Sequence, residues 1–263
     1  MLRIFIAGLL SACSLMAHAD LLDIIKARGT LVVGVLPDNP PFARRNENHT
    51  FSGYDIDFAT LMAKKMGVQL RVRDLDPGER ITSLKSGKVD MVVATFAKTP
   101  EREREVSCSL GYFVAAQKAL TKKGLYRTSE SLANARLGVA KGTAGETVSL
   151  KLYPKATIIT FADIPEATSA LEQGRIDAIM HFEPTLVGAL NIMPSKAQYG
   201  ISEFSNATDV LAIAVKLGEK RLLNIVNETL IESEKSGEAV EIFNRWFGPH
   251  TNTPLPRTFR IQN

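Results

Sequence analysis

Arg102 stands in "TFAKTPERERE" (residues 95–105), three residues after Thr99 and two after Pro100. Thr as N-cap and Pro at the first helical position mark a helix start. A guanidinium there lies beside free backbone N–H groups, and its two parallel donors suit a carboxylate. The same run also reads as a solvated, charged helix face. "KGTAGE" (141–146) is a second anion candidate. Gly142 permits close backbone approach, and Thr143 with Glu146 three residues on makes a capping box. Thr143 either serves only as a cap or shares that work with a ligand. Arg80, in "PGERITSL", opens another helix and faces either solvent or a second acidic group of a ligand. "DNPPF" (38–42) ends a strand; its prolines stiffen the loop and Phe42 wedges beneath it.

Other chemistries lack their residues. The four His and two Cys have no metal-ligand spacing, and no Gly-rich phosphate loop is present. Lys and Arg are scattered through a chain of net charge +4, so no nucleic-acid stripe is formed. No cofactor is expected. Once the leader is removed, Cys108 stands alone and reads as a small buried hydrophobe.

These candidates need a scaffold. With 263 residues, 45% of them hydrophobic, the chain can build one large domain or two modest ones. Strands are expected at 30–36, 69–75 and 89–95, with helices at 55–67, 78–87 and from Thr99. The second half repeats the alternation: strands at 136–142, 156–161 and 176–182, helices at 143–153 and 164–174. Amphipathic helices follow at 219–237 and 238–248, and the Pro-rich tail from 249 is expected to lie extended on the surface. The β-α-β-α-β order, met twice, points to largely parallel sheets covered by helices.

One corner is duplicated. "LKSGKVD" (84–90) recurs as "LEQGRID" (171–177), a helix, a Gly stop and a strand entry. Ligands of open α/β sheets sit beyond the C-terminal strand ends. Two facing sheets would bring Thr95–Phe96 from one and Phe182–Glu183 from the other to a shared cleft.

Residues 1–19 read as an export signal: Arg3, the apolar "IFIAGLL", and "AHA" before Asp20. "LSAC" (10–13) offers the alternative of lipidation at Cys13; cleavage after Ala19 is favoured. The mature chain is expected in the periplasm.

Six segments together carry a resemblance: "GTLVVGVLPDNPPF", "SGYDIDFATLMAKKMGV", "SLKSGKVDMVVATFAKTPERE", "RLGVAKGTAGE", "ALEQGRIDAIM" and "SGEAVEIFNRWF". In this order they resemble the type II periplasmic solute-binding proteins of polar amino-acid ABC transporters, closest in pattern to glutamate/aspartate-binding members. The resemblance implies a periplasmic binding protein type II fold, with two α/β lobes joined by crossovers near 115–121 and 210–216. Lobe one would be 20–117 with 214–263, and lobe two 118–213. It implies a monomer that captures a small carboxylate-bearing solute by lobe closure and delivers it to a membrane permease, with no catalysis.

Carried over by position, Arg102 and Thr143 match the partners of a ligand α-carboxylate, and Thr95 the strand-end hydroxyl. Ala97 replaces a second hydroxyl, so only its N–H remains. Arg80 matches a contact to a side-chain carboxylate, and Asn39 replaces a covering ring. The family's ammonium-binding Asp position holds Phe182 here. Either Glu183 or His181 takes that part, or the ligand has no α-ammonium and Phe182 stacks on it. A dehydratase on the same fold and a sensing module for a partner receptor are the alternatives. Against the former, the Glu that such enzymes use falls at Thr185.

Overall fold

The largely apolar runs at 30–35, 91–97, 136–140 and 178–182 all become sheet strands, each flanked by a helix that covers one face. The computed structural model describes residues 20–262; the leader reading for 1–19, with Cys13, lies outside the described residues. In chain order the helices are α1 (Leu21–Arg28), α2 (Tyr54–Met66), α3 (Arg80–Lys85), α4 (Pro100–Glu103), α5 (Ala144–Leu152), α6 (Ile164–Glu172), α7 (Glu183–Ile192), α8 (Lys220–Ser236) and α9 (Glu238–Phe247). The strands are β1 (Thr30–Val35), β2 (Asp38–Asn39), β3 (Ala43–Arg45), β4 (Phe51–Ser52), β5 (Gln69–Asp74), β6 (Met91–Ala97), β7 (Val106–Lys122), β8 (Arg136–Ala140), β9 (Thr157–Phe161), β10 (Ala178–Phe182), β11 (Tyr199–Ile201) and β12 (Ala207–Lys216).

Hydrogen bonding runs in the order β5-β1-β6-β12-β7-β10-β8-β9, with β11 on β7. β1 lies parallel between β5 and β6; β8 lies parallel between β9 and β10. Each parallel triplet is closed by an antiparallel strand, β12 on β6 and β7 on β10. The two α/β lobes therefore share one strand order. The expected crossovers are not loops: they fall within β7 and β12, which pair with each other from Val106 and Lys216 to Gln117 and Ala207. Paired strands satisfy their own main-chain groups, so two chain passages can lie side by side between the lobes.

Apolar layers cover both faces of each triplet. In lobe one, Phe42, Tyr54, Phe58, Phe113, Phe243 and Phe247 form an aromatic core under α2 and α9, while Leu84, Val92 and Phe96 pack under α3. Cys108 joins that second layer, and burial pushes its thiol up to about 11. In lobe two, Leu171, Ile179 and Leu186 lie on one face and Leu137, Tyr153 and Met180 on the other. The tail runs extended as expected, but it is not a surface strap. Phe259 packs 5.3 Å from Phe113, Arg257 Nη1 donates to Glu234 at 3.0 Å, and Ile261 is buried.

The duplicated corner has one physical job in both lobes. Gly87 and Gly174 take φ of 71° and 70°, the left-handed region that only glycine enters without strain. Asp90 then accepts from Val32 N at 2.7 Å, while its own N–H donates to the Val32 carbonyl. Asp177 treats Arg136 identically, accepting at 2.7 Å and donating at 2.8 Å. Each aspartate pins the neighbouring parallel strand at its entry, and Arg28 or Arg136 neutralises it. The corner lies at the strand starts; its effect on the cleft is to set the register of the opposite, C-terminal ends. Asp90 is buried, so Asp90→Ala leaves the Val32 N–H without its acceptor and removes the ion pair with the exposed Arg28. Urea unfolding should show a loss of about 2–3 kcal/mol.

Candidate functional site

The C-terminal ends of β6 and β10 face each other across the lobes. Thr95, near the end of β6, has φ +44°, unusual for a β-branched residue. It is held from behind: its N–H donates to Asp55 Oδ2 at 3.2 Å, and Tyr112 Oη donates to Asp55 Oδ1 at 2.6 Å. Asp55 is buried at the start of α2, and desolvation pushes it up to about 7 despite those two donors. In front, Asn39 Nδ2 donates to Thr95 Oγ1 at 3.1 Å, and Asn39 Oδ1 accepts from Thr185 Oγ1 at 2.8 Å. A buried relay thus runs Tyr112, Asp55, Thr95, Asn39, Thr185 from the core of lobe one into α7 of lobe two.

Beside it lie two arginines. Arg80 is 2% exposed. Its Nε donates to the Pro77 carbonyl at 2.8 Å, Nη1 to Ala94 at 2.9 Å and Nη2 to Gly142 at 2.9 Å. Arg102 Nη1 donates to the Ala97 carbonyl at 3.0 Å and Nη2 to the same Gly142 carbonyl at 2.8 Å. Both guanidinium carbons lie over the Phe96 ring, at 5.3 and 4.6 Å from its centroid. The ring's negative face offsets part of the repulsion. Burial, then the charge of Arg102, pulls Arg80 down to about 9. Neither arginine forms an ion pair among the described residues.

Gly142 belongs to lobe two and has φ +75°; a Cβ there would stand 2.8 Å from Gly78 Cα of lobe one. Thr143 caps α5: its Oγ1 accepts from Glu146 N at 3.3 Å and donates to the Ala140 carbonyl at 2.7 Å. Glu146 reaches back to Gly142 N at 2.7 Å, one residue beyond the expected box partner. The lobes meet again where Gly188 of α7 lies under Pro40; a Cβ at that glycine would stand 2.2 Å from the Pro40 carbonyl oxygen.

The expected site residues therefore divide. Arg102, Arg80, Thr95, Ala97, Asn39 and Thr143 are brought to the lobe junction. Ala97 offers Arg102 its carbonyl, where its N–H was expected to serve. Arg80 donates from all three nitrogens to main-chain carbonyls in this arrangement of the lobes, one of them the Gly142 carbonyl of lobe two. Phe42 is not at the cleft: it is fully buried 5.1 Å from Phe113 and 5.5 Å from Phe247, because the loop folds its ring inward. Phe182 ends β10 and is 2% exposed, packed into the apolar cluster of lobe one and edge-on to His181 at 5.1 Å. Glu183 does follow the strand end, at the first position of α7, but its Oε1 accepts from Lys118 Nζ at 2.9 Å. Asp55 was not read as a site residue, because Tyr112, which holds it, lies 57 residues along the chain; Phe96 was expected at the cleft but not as the ring beneath both guanidiniums, and Thr185 entered only as the position of a dehydratase Glu, its bond to Asn39 spanning 146 residues.

A cavity of about 50 Å³ remains between the lobes, lined among others by Asn39, Leu75, Asp76, Ala140, Asp163 and His181. Among the described residues no three His, Cys, Asp or Glu are grouped to hold a metal, and no helix is long and apolar enough to cross a membrane.

Comparison with known proteins accords with this architecture. Residues 31–249 match the family model described as bacterial extracellular solute-binding proteins, family 3. The chain belongs to that family. It is 27% identical over 254 residues to the L-cystine-binding protein TcyJ of Escherichia coli (strain K12), covering 94% of each chain. It is 29% identical over 262 residues to the ABC transporter glutamine-binding protein GlnH of Bacillus subtilis (strain 168), again covering 94% of each. Among solved structures, it resembles the ancestral amino acid-binding protein AncCDT-1, a precursor of cyclohexadienyl dehydratase, with TM-score 0.80, 31% identity and coverage of 87% of this chain and 100% of that one. The cysteine-binding protein of Campylobacter jejuni superposes with TM-score 0.84 at 26% identity, covering 91% and 97%.

Two outcomes test this geometry. Gly188→Ala favours the α7 helix by itself but clashes with Pro40, so thermal stability should hold while small-angle scattering gives a larger radius of gyration than wild type. The second outcome concerns protons. Native Asp55 keeps its proton between its usual 3.8 and about 7, whereas the unfolded chain releases it, so this group makes stability fall as pH rises through that window. His181 is pulled down to about 3 by burial and by Arg80, so it contributes stability that is lost as pH falls from 6.5. The two slopes oppose each other between about pH 4 and 6.5. Asp55→Asn should leave that of His181, giving unfolding free energies that rise more steeply with pH, by up to about 1.4 kcal/mol per unit.

Proposed function

We propose that this chain is the periplasmic solute receptor of an ABC importer, capturing an amino acid by its carboxylate and delivering it to a membrane permease. The observation that carries the reading is the pair of guanidiniums, Arg80 and Arg102, converging without a carboxylate on the carbonyl that precedes α5. A pair of like charges of which one, Arg80, is buried is costly, and an anion at that point relieves it. In the proposed cycle the lobes open, the Gly142 carbonyl leaves Arg102, and a ligand carboxylate takes its place with Thr143 at the helix tip. Arg80 anchors the rim, and Thr95, Ala97 and Asn39 shape the floor. We assign 20–117 with 214–263 to lobe one and 118–213 to lobe two. The names of the relatives, receptors for cystine and glutamine, support an amino acid over a simple organic acid. The receptor is proposed to act as a monomer and without catalysis: Glu183, the acid an enzymatic reading needs, is paired to Lys118, and Thr185 Oγ1 donates to Asn39.

A ligand at a hundredfold its Kd adds about 2.7 kcal/mol to the stability of a folded receptor. In a thermal-shift screen of the twenty L-amino acids and L-cystine, the cognate ligand should raise Tm by roughly 5–10 °C. Arg102→Ala should abolish the shift. An undiminished shift in that variant, or no shift with any amino acid, would refute the reading.

A further inference from the structure

Far from the cleft, the run "TKKGLYR" (121–127) follows the end of β7 in lobe two. β8, β9 and β10 run parallel, so Arg136, Thr157 and Ala178 mark one end of the lobe-two sheet. β7 is antiparallel to β10, with Thr121 beside Ala178, and therefore brings Lys122 to that same end. The lobe junction lies at the opposite ends of these strands, at Ala140 and Phe182. Leu125 N donates to the Lys122 carbonyl at 3.3 Å, closing a tight turn in which Gly124 takes φ +81°. Lys123 N donates to the Gln198 carbonyl at 2.9 Å, which ties the turn to the segment before β11.

The turn presents charge without counter-charge. Lys122, Lys123 and Arg127 are exposed, and none of them forms an ion pair among the described residues. Lys155, in the loop that enters β9 at the same end, is also exposed and forms none. Arg136 is the contrast, matched by Asp177. An open cleft of about 390 Å³ is lined by Lys122, Lys123 and Arg127 against one carboxylate, Glu203. A second observation is apolar and does not depend on these charges. Tyr126, at φ +39°, packs onto the cluster of Leu137 and Tyr153. With Tyr126 taken inward, Leu125 is left outward, 53% exposed. Leu125 also lines a second cleft, of about 230 Å³, and so stands between two openings.

We propose that this pole of lobe two is a docking surface for an anionic lipid bilayer. Attachment through a surface loop combines an apolar side chain that enters the headgroup layer with cations that meet its phosphates. Long Lys and Arg side chains lie along such a surface and aim their charges at it while Leu125 points in. The cations are spread over the turn and the neighbouring loop, not gathered around one point. That distribution suits a diffuse negative surface better than a single acidic side chain. The cleft, at the opposite strand ends, stays open to solution when the chain is docked by this pole. A receptor held weakly in this way searches for its permease along the membrane instead of through the whole volume. The proposal involves neither Arg80 nor Arg102, so it stands or falls apart from the identity of the solute.

The test is co-sedimentation of the full mature chain with vesicles at about 20 mM salt, where screening is weak. One set of vesicles is neutral phosphatidylcholine; in the other, about a third of the lipid is phosphatidylglycerol. The partition coefficient should be at least about tenfold higher on the anionic vesicles, and should fall at least about fivefold at about 150 mM salt. Lys122→Gln, Lys123→Gln and Arg127→Gln combined should lower it about tenfold. A control with the same change in net charge, Lys26→Gln, Lys64→Gln and Arg71→Gln on lobe one, should stay within about twofold of wild type. Leu125→Ala should lower it about threefold. Circular dichroism checks that each variant folds. Equal partition onto both kinds of vesicle, or equal losses in the two triple variants, would overturn the docking surface while leaving the receptor reading intact. If Leu125→Ala has no effect and polyglutamate binds the pole as tightly as the vesicles do, the partner is an acidic polypeptide and the lipid proposal is overturned.

Discussion

Two positive charges held side by side, with no ion-pair partner among the described residues, govern this lobe junction. Arg80 and Arg102 are steadied by what is available to neutral groups: the face of Phe96 and a set of main-chain carbonyls. The last of those carbonyls, at Gly142, comes from the other lobe. The same contact therefore holds the lobes together and marks where a better acceptor would bind. The scaffold behind it is built to keep this geometry. Asp90 and Asp177 lock the parallel strands at their starts, so the ends of β6 and β10 arrive in fixed register. Asp55 and Tyr112 then hold Thr95 in a backbone conformation it would not choose alone.

Glycine makes two of the contacts between the lobes possible. At Gly142 and at Gly188 the opposing backbones approach so closely that no side chain fits. Polar contacts join them: the Asn39 amide between Thr95 and Thr185, and Asn191 Nδ2 donating to the Asn252 carbonyl at 2.7 Å. Such contacts are directional, and separation exposes their groups to water that satisfies them. They select one closed arrangement without making it irreversible, which a receptor that must open again requires.

How much of this was legible in the sequence depended on range. The duplicated corner was readable because its Gly and Asp act on residues set by a repeated local pattern. The capping pair Thr143 and Glu146 was readable for the same reason, as were the parallel strands and most helices. The meeting of Arg102 with the Thr143 loop came only through resemblance, since nothing local predicts that Gly142 crosses to lobe one. Phe42 was misplaced because a ring after two prolines fits a cleft wall or a core equally well, and its aromatic neighbours Phe113 and Phe247 lie far along the chain. Glu183 was open to a binding role in the sequence because Lys118, which occupies it, lies 65 residues away. The long strands β7 and β12 were missed as strands because their alternation changes where they pass between lobes.

Selectivity for an anionic group follows from exchange at one atom. In the closed structure a neutral carbonyl accepts from both guanidiniums. Hydrogen bonds to a charged acceptor are roughly twice as strong as those to a neutral one. A carboxylate entering there gains over the carbonyl it displaces, whereas a neutral amide or hydroxyl merely equals it. A ligand shifts the lobe equilibrium only by the difference between its interactions in the two states. The internal carbonyl thus sets the threshold that a solute must exceed, and charge is the property that exceeds it.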